Sequence, residues 1–271
     1  MPFVAVRDLK MYYEIRGTGP RLLAITGTGG DLRHTPNIFD APIARYFEVL
    51  SYDQRGLGRT SRPDIPYTMA DFAADANALL DALEWNRCFV MGISFGGMVA
   101  QELALRYSDR VERLVLACTS SGGAGGASYP LHELADLPIE DYARRILELN
   151  DTRRDAAWQA THPAQFRALF DLTLAGLRVG ADEPGRSIGV RRQLEARALH
   201  NTYDRLPALR IPVYLCGGRY DGIVTPANLE TMQKQIPGAR LELFEGGHLF
   251  FMQDPRAFDR IISFLRGEPG D

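Results

Sequence analysis

A serine set between glycines, Gly92-Ile93-Ser94-Phe95-Gly96, constrains this chain more than any other stretch. An apolar run, Cys88-Phe89-Val90-Met91, precedes it, and a helix-like apolar run over 97–104 follows. The pattern predicts a strand that turns sharply into a helix, with the serine at the bend. A side chain there has to accept a strained backbone, and small neighbours let strand and helix approach closely enough to permit it. The bend lifts the hydroxyl past the end of the sheet, with the start of the next helix behind it. The Phe95 N–H then points where an oxyanion would form. A bare pentad also fits an ordinary glycine turn, so its meaning rests on partners elsewhere in the chain.

Two later segments supply them. Val213-Tyr214-Leu215-Cys216-Gly217 reads as a buried strand and runs into Gly218-Arg219-Tyr220-Asp221-Gly222. Leu241-Glu242-Leu243-Phe244 reads as another and runs into Glu245-Gly246-Gly247-His248. Each leaves one titratable residue just past a strand's C-terminal end, where open α/β sheets gather their reacting groups. The residue types suit nucleophilic catalysis. A serine hydroxyl is a weak nucleophile, an imidazole takes and returns its proton, and a carboxylate fixes the tautomer and steadies the imidazolium. The plainer readings are a loop histidine and a turn aspartate beside Gly222.

On these residues the chain resembles the α/β-hydrolase fold superfamily over essentially its whole length. The matching stretches are Gly-Ile-Ser-Phe-Gly-Gly at 92–97, Gly-Gly-Arg-Tyr-Asp-Gly-Ile-Val-Thr-Pro at 217–226, Gly-Gly-His at 246–248 and Tyr-Asp-Gln-Arg-Gly-Leu-Gly-Arg-Thr-Ser at 52–61. The order Ser94, Asp221, His248 is that of the family's catalytic triad. The resemblance implies a mostly parallel eight-stranded α/β sheet flanked by helices, with an inserted helical lid. It also implies a second oxyanion donor from the loop after the third strand. Arg21-Leu22-Leu23-Ala24-Ile25 is that strand and Thr26-Gly27-Thr28-Gly29-Gly30 the loop, which makes the Thr28 N–H the donor. Most relatives carry His-Gly where this chain has Thr26-Gly27. Backbone donors do not depend on side-chain identity, but the change leaves open what supports the loop.

Elsewhere strands and helices alternate, which implies a parallel sheet. An opening hairpin is expected at Phe3–Val6 and Met11–Ile15, and a strand at Phe47–Tyr52. Thr68-Met69-Ala70-Asp71 resembles a capping box, with Phe72, Ala76, Leu79, Leu80 and Leu83 forming one stripe behind it. Thr225-Pro226 and Asp254-Pro255 each read as an N-cap followed by proline at the first helical position. The glycine-rich stretch 120–127 leaves the sheet, and from about Leu131 to Tyr203 the chain is helical, arginine-rich and irregular. The expected division is a core of 1–121 and 206–271 with a lid of 122–205. Trp158, Phe166, Phe170 and Leu174 either line the lid's pocket face or pack within the lid. Arg144, Arg145, Arg153, Arg154, Arg191 and Arg192 read as solvated faces, with pairing of one to a substrate carboxylate as the sharper alternative.

The 271 residues suffice for one large α/β domain with an insertion. A net charge of −3 gives no basic surface for nucleic acid. No apolar stretch reaches bilayer length, and the N-terminus lacks a signal-peptide core. Cys88, Cys118 and Cys216 read as reduced core thiols, which suits a cytoplasmic protein. The five histidines are scattered and no cysteine pair has ligand spacing, so no metal is expected. Gly56-Leu57-Gly58 lacks the third glycine of a dinucleotide loop, and no phosphate-binding Gly-Lys-Ser/Thr loop exists. Asp53 and Arg55 read as structural support after the fourth strand.

The expectation is a cofactor-independent serine hydrolase acting on a small-molecule ester or lactone, similar to enol-lactonases and small carboxylesterases. Carbon–carbon bond hydrolases of diketones share the triad and stand as the alternative. A slow-turnover ligand receptor and a cofactor-free haloperoxidase on the same fold are less favoured. Oligomeric state is left open.

Overall fold

Leu22-Leu23-Ala24-Ile25 shows no polar alternation, the mark of a strand covered on both faces. In the computed structural model, which describes residues 2–268, it lies within β3 (Arg21–Ile25) near the middle of an eight-stranded sheet. Met1 and 269–271, the outermost residues of the expected core, lie outside the described residues. The other strands are β1 (Phe3–Val6), β2 (Leu9–Arg16), β4 (Glu48–Tyr52), β5 (Cys88–Ile93), β6 (Val111–Ala117), β7 (Val213–Gly218) and β8 (Arg240–Phe244). Their spatial order is β1-β2-β4-β3-β5-β6-β7-β8. The hairpin β1–β2 and the β2–β4 pair are antiparallel, and every later pairing is parallel.

The chain leaves β3 for β4 on one side and returns to β5 on the other. That reversal is a topological switch point, where a crevice opens at the carboxyl ends of the strands. The register keeps those ends level: Ile25 faces Gly92, Ile93 faces Ala117, Ala117 faces Cys216 and Gly218 faces Phe244. The loops after β3, β5, β7 and β8 therefore open on one edge.

The period of two divides the core. Leu23, Ile25, Val90 and Leu114 pack with α1 (Met69–Ala82), α2 (Phe95–Arg106) and α7 (Pro226–Gln235). Leu22, Met91 and Val115 pack on the opposite face with α8 (Arg256–Arg266), through Ile261 and Leu265. The α1 capping box is present: the Asp71 N–H donates to the Thr68 hydroxyl, and the Thr68 N–H to the Asp71 carboxylate, each at 3.1 Å. Helix α7 opens on Pro226 behind Thr225. Helix α8 departs by one residue from expectation, with Pro255 at the cap and Arg256 as the first helical residue. Asp254 still caps it, accepting the Arg256 N–H at 3.0 Å. Cys88, Cys118 and Cys216 are free and buried.

Between β6 and β7 four helices form a lid-like insertion: α3 (Ile139–Asn150), α4 (Ala156–Thr161), α5 (Pro163–Arg178) and α6 (Arg186–Ala198). It has a small core of its own, in which Ala143 and Leu147 of α3 meet Phe170 and Leu174 of α5. Phe166 packs against that cluster, and Trp158 stacks on His162. The aromatic residues considered for the pocket roof thus mainly hold the lid together. The six lid arginines are engaged at the surface. Arg144 lies over Phe166 and Phe170, and the other five face Glu148, Asp151, Glu195 or Asp64. Among the described residues, no helix is long and apolar enough to cross a membrane.

Candidate active site

The bend between β5 and α2 holds Ser94 at φ 55° and ψ −117°, a conformation that L side chains rarely adopt. Strain of this kind costs about 1–3 kcal/mol and persists only where the surroundings over-determine it. Here the glycines do so. A Cβ on Gly92 would strike the Gly96–Gly97 backbone, and one on Gly96 would strike the Ile25 carbonyl. Strand and helix are thus packed backbone to backbone at the bend. The Ser94 N–H is tied to the Ala117 carbonyl at 2.8 Å.

The structure brings the three distant residues together. Asp221 Oδ2 lies 2.7 Å from His248 Nδ1, and His248 Nε2 lies 3.0 Å from Ser94 Oγ. A carboxylate can only accept, so Nδ1 carries the ring proton and Nε2 presents its lone pair to the serine hydroxyl. The other Asp221 oxygen accepts the N–H groups of Ile223 and Val224 at 2.8 and 2.9 Å, which fixes the carboxylate's orientation. All three side chains are buried, at 3–7% exposure, so their contacts lie in a medium of low dielectric.

The loops carrying Asp221 and His248 are joined by the lid. The last turn of α3 and the residues after it run between them as a strut. The Gly222 N–H donates to the Leu149 carbonyl at 2.9 Å, and the His248 N–H to the Asn150 carbonyl at 2.6 Å. The Thr152 N–H returns a bond to the Tyr220 carbonyl at 2.9 Å. A Cβ on Gly247 would overlap the Asn150 carbonyl, so only glycine admits this approach. The Gln253 amide adds a side-chain link, accepting the Gly247 N–H at 2.7 Å and donating to Asp151 at 3.3 Å. Sequence reasoning missed the strut because backbone acceptors have no residue-type signature.

The loop after β3 lies against the serine. A Cβ on Gly27 would sit 3.4 Å from Ser94 Cβ. Thr28 follows, and its hydroxyl is buried without a partner among the described residues. Phe95 is the first residue of α2, so its N–H lacks an intrahelical acceptor and stands at the positive end of the helix dipole. Asp53 and Arg55 brace the region from behind. Asp53 accepts the Leu32 and Arg59 N–H groups at 2.7 and 2.8 Å, which links the end of the loop to the turn after β4. Arg55, buried, pairs with Asp75 at 2.8 Å and with Asp8 at 2.8 Å.

A cavity of roughly 450 Å³ opens beside this centre, with walls from Gly27, Ile93, Leu249, Ile38, Phe251 and Phe258. Three of these touch or adjoin Ser94 or His248: Gly27 packs on Ser94, Ile93 precedes it and Leu249 follows His248. Among the described residues no group of three or more His, Cys, Asp or Glu side chains could hold a metal ion.

A family model for the alpha/beta hydrolase fold matches residues 20–255. An uncharacterized protein of Mycobacterium tuberculosis is 30% identical, over 97% of this chain and 80% of its own length. A poly(3-hydroxyalkanoate) depolymerase of Ectopseudomonas oleovorans is 28% identical, over 91% of this chain and 84% of its own. Among solved structures, an enol-lactonase from Burkholderia xenovorans superposes with a TM-score of 0.79 at 25% identity, covering 98% of this chain and 100% of that one.

Proposed function

Because this chain belongs to the α/β hydrolase fold family, we propose that it is a cofactor-independent serine hydrolase cleaving a carboxylic ester or lactone of a small molecule. The observation that carries the proposal is the buried run of contacts from Asp221 through His248 to Ser94, at 2.7 and 3.0 Å. Similarity to an enol-lactonase supports the ester and lactone class.

In this mechanism Ser94 Oγ attacks the acyl carbon and its proton passes to His248 Nε2. The carbonyl electron pair moves onto oxygen, which the N–H groups of Phe95 and Thr28 hold. As the tetrahedral intermediate collapses, the acyl–oxygen bond breaks and the leaving alkoxide takes the proton from His248. A water then repeats the sequence, giving its proton to His248 and its oxygen to the acyl group, and Ser94 is released. Asp221 keeps its negative charge throughout and steadies the imidazolium in both halves. The cavity beside Gly27 and Leu249 would take an apolar portion of the substrate.

Turnover of short-chain p-nitrophenyl esters tests this directly. The wild-type protein should release many equivalents of p-nitrophenol per site. Ser94→Ala should lower kcat on the order of 10⁴-fold or more while keeping the wild-type melting temperature. Undiminished turnover by Ser94→Ala would remove Ser94 from the chemistry. Stoichiometric ligand capture without turnover by the wild type would favour a receptor instead.

A further inference from the structure

The loop after β3 lacks the family's usual histidine, and its support comes from elsewhere. Four successive peptide units carry it past Ser94. The Thr26 carbonyl accepts the Gln54 amide at 2.8 Å, which fixes the first unit. The Gly27 carbonyl accepts the Gly30 N–H at 3.1 Å, which ties the second unit to the fourth. The Gly29 N–H donates to Gln193 Oε1 at 2.8 Å, which fixes the third. The Gly29 carbonyl accepts an Arg186 Nη–H at 3.3 Å, the other hold on the fourth.

Two of these holds come from one lid helix. Arg186 and Gln193 stand seven residues apart on α6, hence on the same side of it two turns apart. Packing does not do their work: a Cβ on Gly29 would find nothing within 4 Å, and Gly29 is at φ +69°. On the side where a Gly29 side chain would stand, hydrogen bonds rather than packing restrain the loop. Gln193 is fully buried, and the donor it meets requires its oxygen to face Gly29. Its Nε2 then lies buried with no partner among the described residues.

We propose that Gln193 is a positioning residue for the oxyanion hole: by holding the Gly29 N–H it sets the direction of the neighbouring Thr28 N–H, so the hole is complete only while α6 is seated. The proposal rests on the serine-hydrolase mechanism above. The unit bearing the Thr28 N–H and the unit bearing the Gly29 N–H share the Thr28 Cα. Releasing the second frees the Thr28 Cα that the two units share, so Gly27 ψ and Thr28 φ, the torsions that aim the Thr28 N–H, drift with it, and glycine offers little resistance. A donor turned off the developing charge loses stabilisation of the transition state while leaving ground-state binding nearly unchanged.

The test is Gln193→Met, close in shape and without the acceptor. The expected result is a roughly 10- to 100-fold lower kcat on a p-nitrophenyl ester, with KM within about twofold. Affinity for an alkyl boronic acid, whose adduct on Ser94 carries the tetrahedral anionic oxygen, should fall by the same factor. Unchanged kcat and unchanged boronate affinity would overturn the proposal, and so would a loss confined to KM. A second measurement needs no variant: in the wild-type protein the Gly29 amide should exchange with deuterium as slowly as the inner amides of α6. Fast Gly29 exchange beside a protected α6 would also overturn it. If Ser94→Ala stays active, the mechanism itself fails. If Ser94→Ala is inactive and Gln193→Met is fully active, only the role of Gln193 fails.

Discussion

His200 shows how a single buried group shapes the acid limit of this molecule. It follows α6, is 5% exposed, and neither ring nitrogen has a side-chain partner among the described residues. Burial pushes its pKa down to about 4, with Glu102 opposing the shift and Arg205 and Arg197 adding to it. An unfolded histidine titrates near 6.5. Between these values the unfolded chain binds the proton and the folded one does not, so stability falls as pH drops from about 6.5 towards 4. The loss should reach about 2 kcal/mol by pH 5 and level off near 3 kcal/mol below pH 4. Urea unfolding at pH 7 and pH 5 measures it. His200→Gln, which does not titrate, should flatten that part of the profile, and an unchanged slope would assign the acid loss to other groups.

At the scale of elements, the β5–α2 bend packs backbone directly against backbone. Gly96→Ala would drive a methyl into the Ile25 and Thr26 carbonyls, which belong to β3 and the start of the loop after it. Neither is a flexible side chain that can swing aside, so α2 has to shift. The variant should lose about 1–3 kcal/mol in urea unfolding and lose esterase activity with it. Full stability would mean that the helix can slide off β3 at little cost. This bend was legible in the sequence because its requirements are local: an apolar strand, small residues and an apolar helix in succession. Asp221 and His248 were legible because each has a distinctive chemistry and follows an apolar run. Strand limits came within about two residues wherever burial on both faces left no polar alternation. What was not legible was the fastening. Leu149 and Asn150 act through carbonyl oxygens that any residue possesses. Gln193 and Arg186 sit in an irregular arginine-rich stretch, where their inward aim depends on how α6 docks. The lid aromatics were ambiguous for the same reason: helical spacing placed Phe170 and Leu174 on a face without saying that α3 covers it.

Across the whole molecule, the insertion is bonded to the loops that carry the proposed site. It is fastened on two sides of Ser94. The end of α3 bonds the loops of Asp221 and His248 through Leu149 and Asn150, and α6 bonds the loop after β3 through Gln193 and Arg186. These loops hang from different strands, so the insertion ties together parts that the sheet alone joins only at a distance. Loosening the lid from within should therefore disturb the centre even though no residue near Ser94 is altered. Leu147 offers the means, since it is buried between α3 and α5 in the lid's own cluster. Leu147→Ala leaves a cavity there, a change that costs about 2–5 kcal/mol in well-packed cores. The cost falls first on local opening of the lid, because the sheet core shares few of those contacts. Deuterium exchange should then quicken at the Gly222 and His248 amides, while the amides of β5 and β6 keep their protection. Turnover of a small ester, too short to need the lid for binding, should fall several-fold alongside. If those two loop amides keep their wild-type exchange while the α3 amides open, the strut does not transmit lid motion to the relay, and the insertion acts only as a cover.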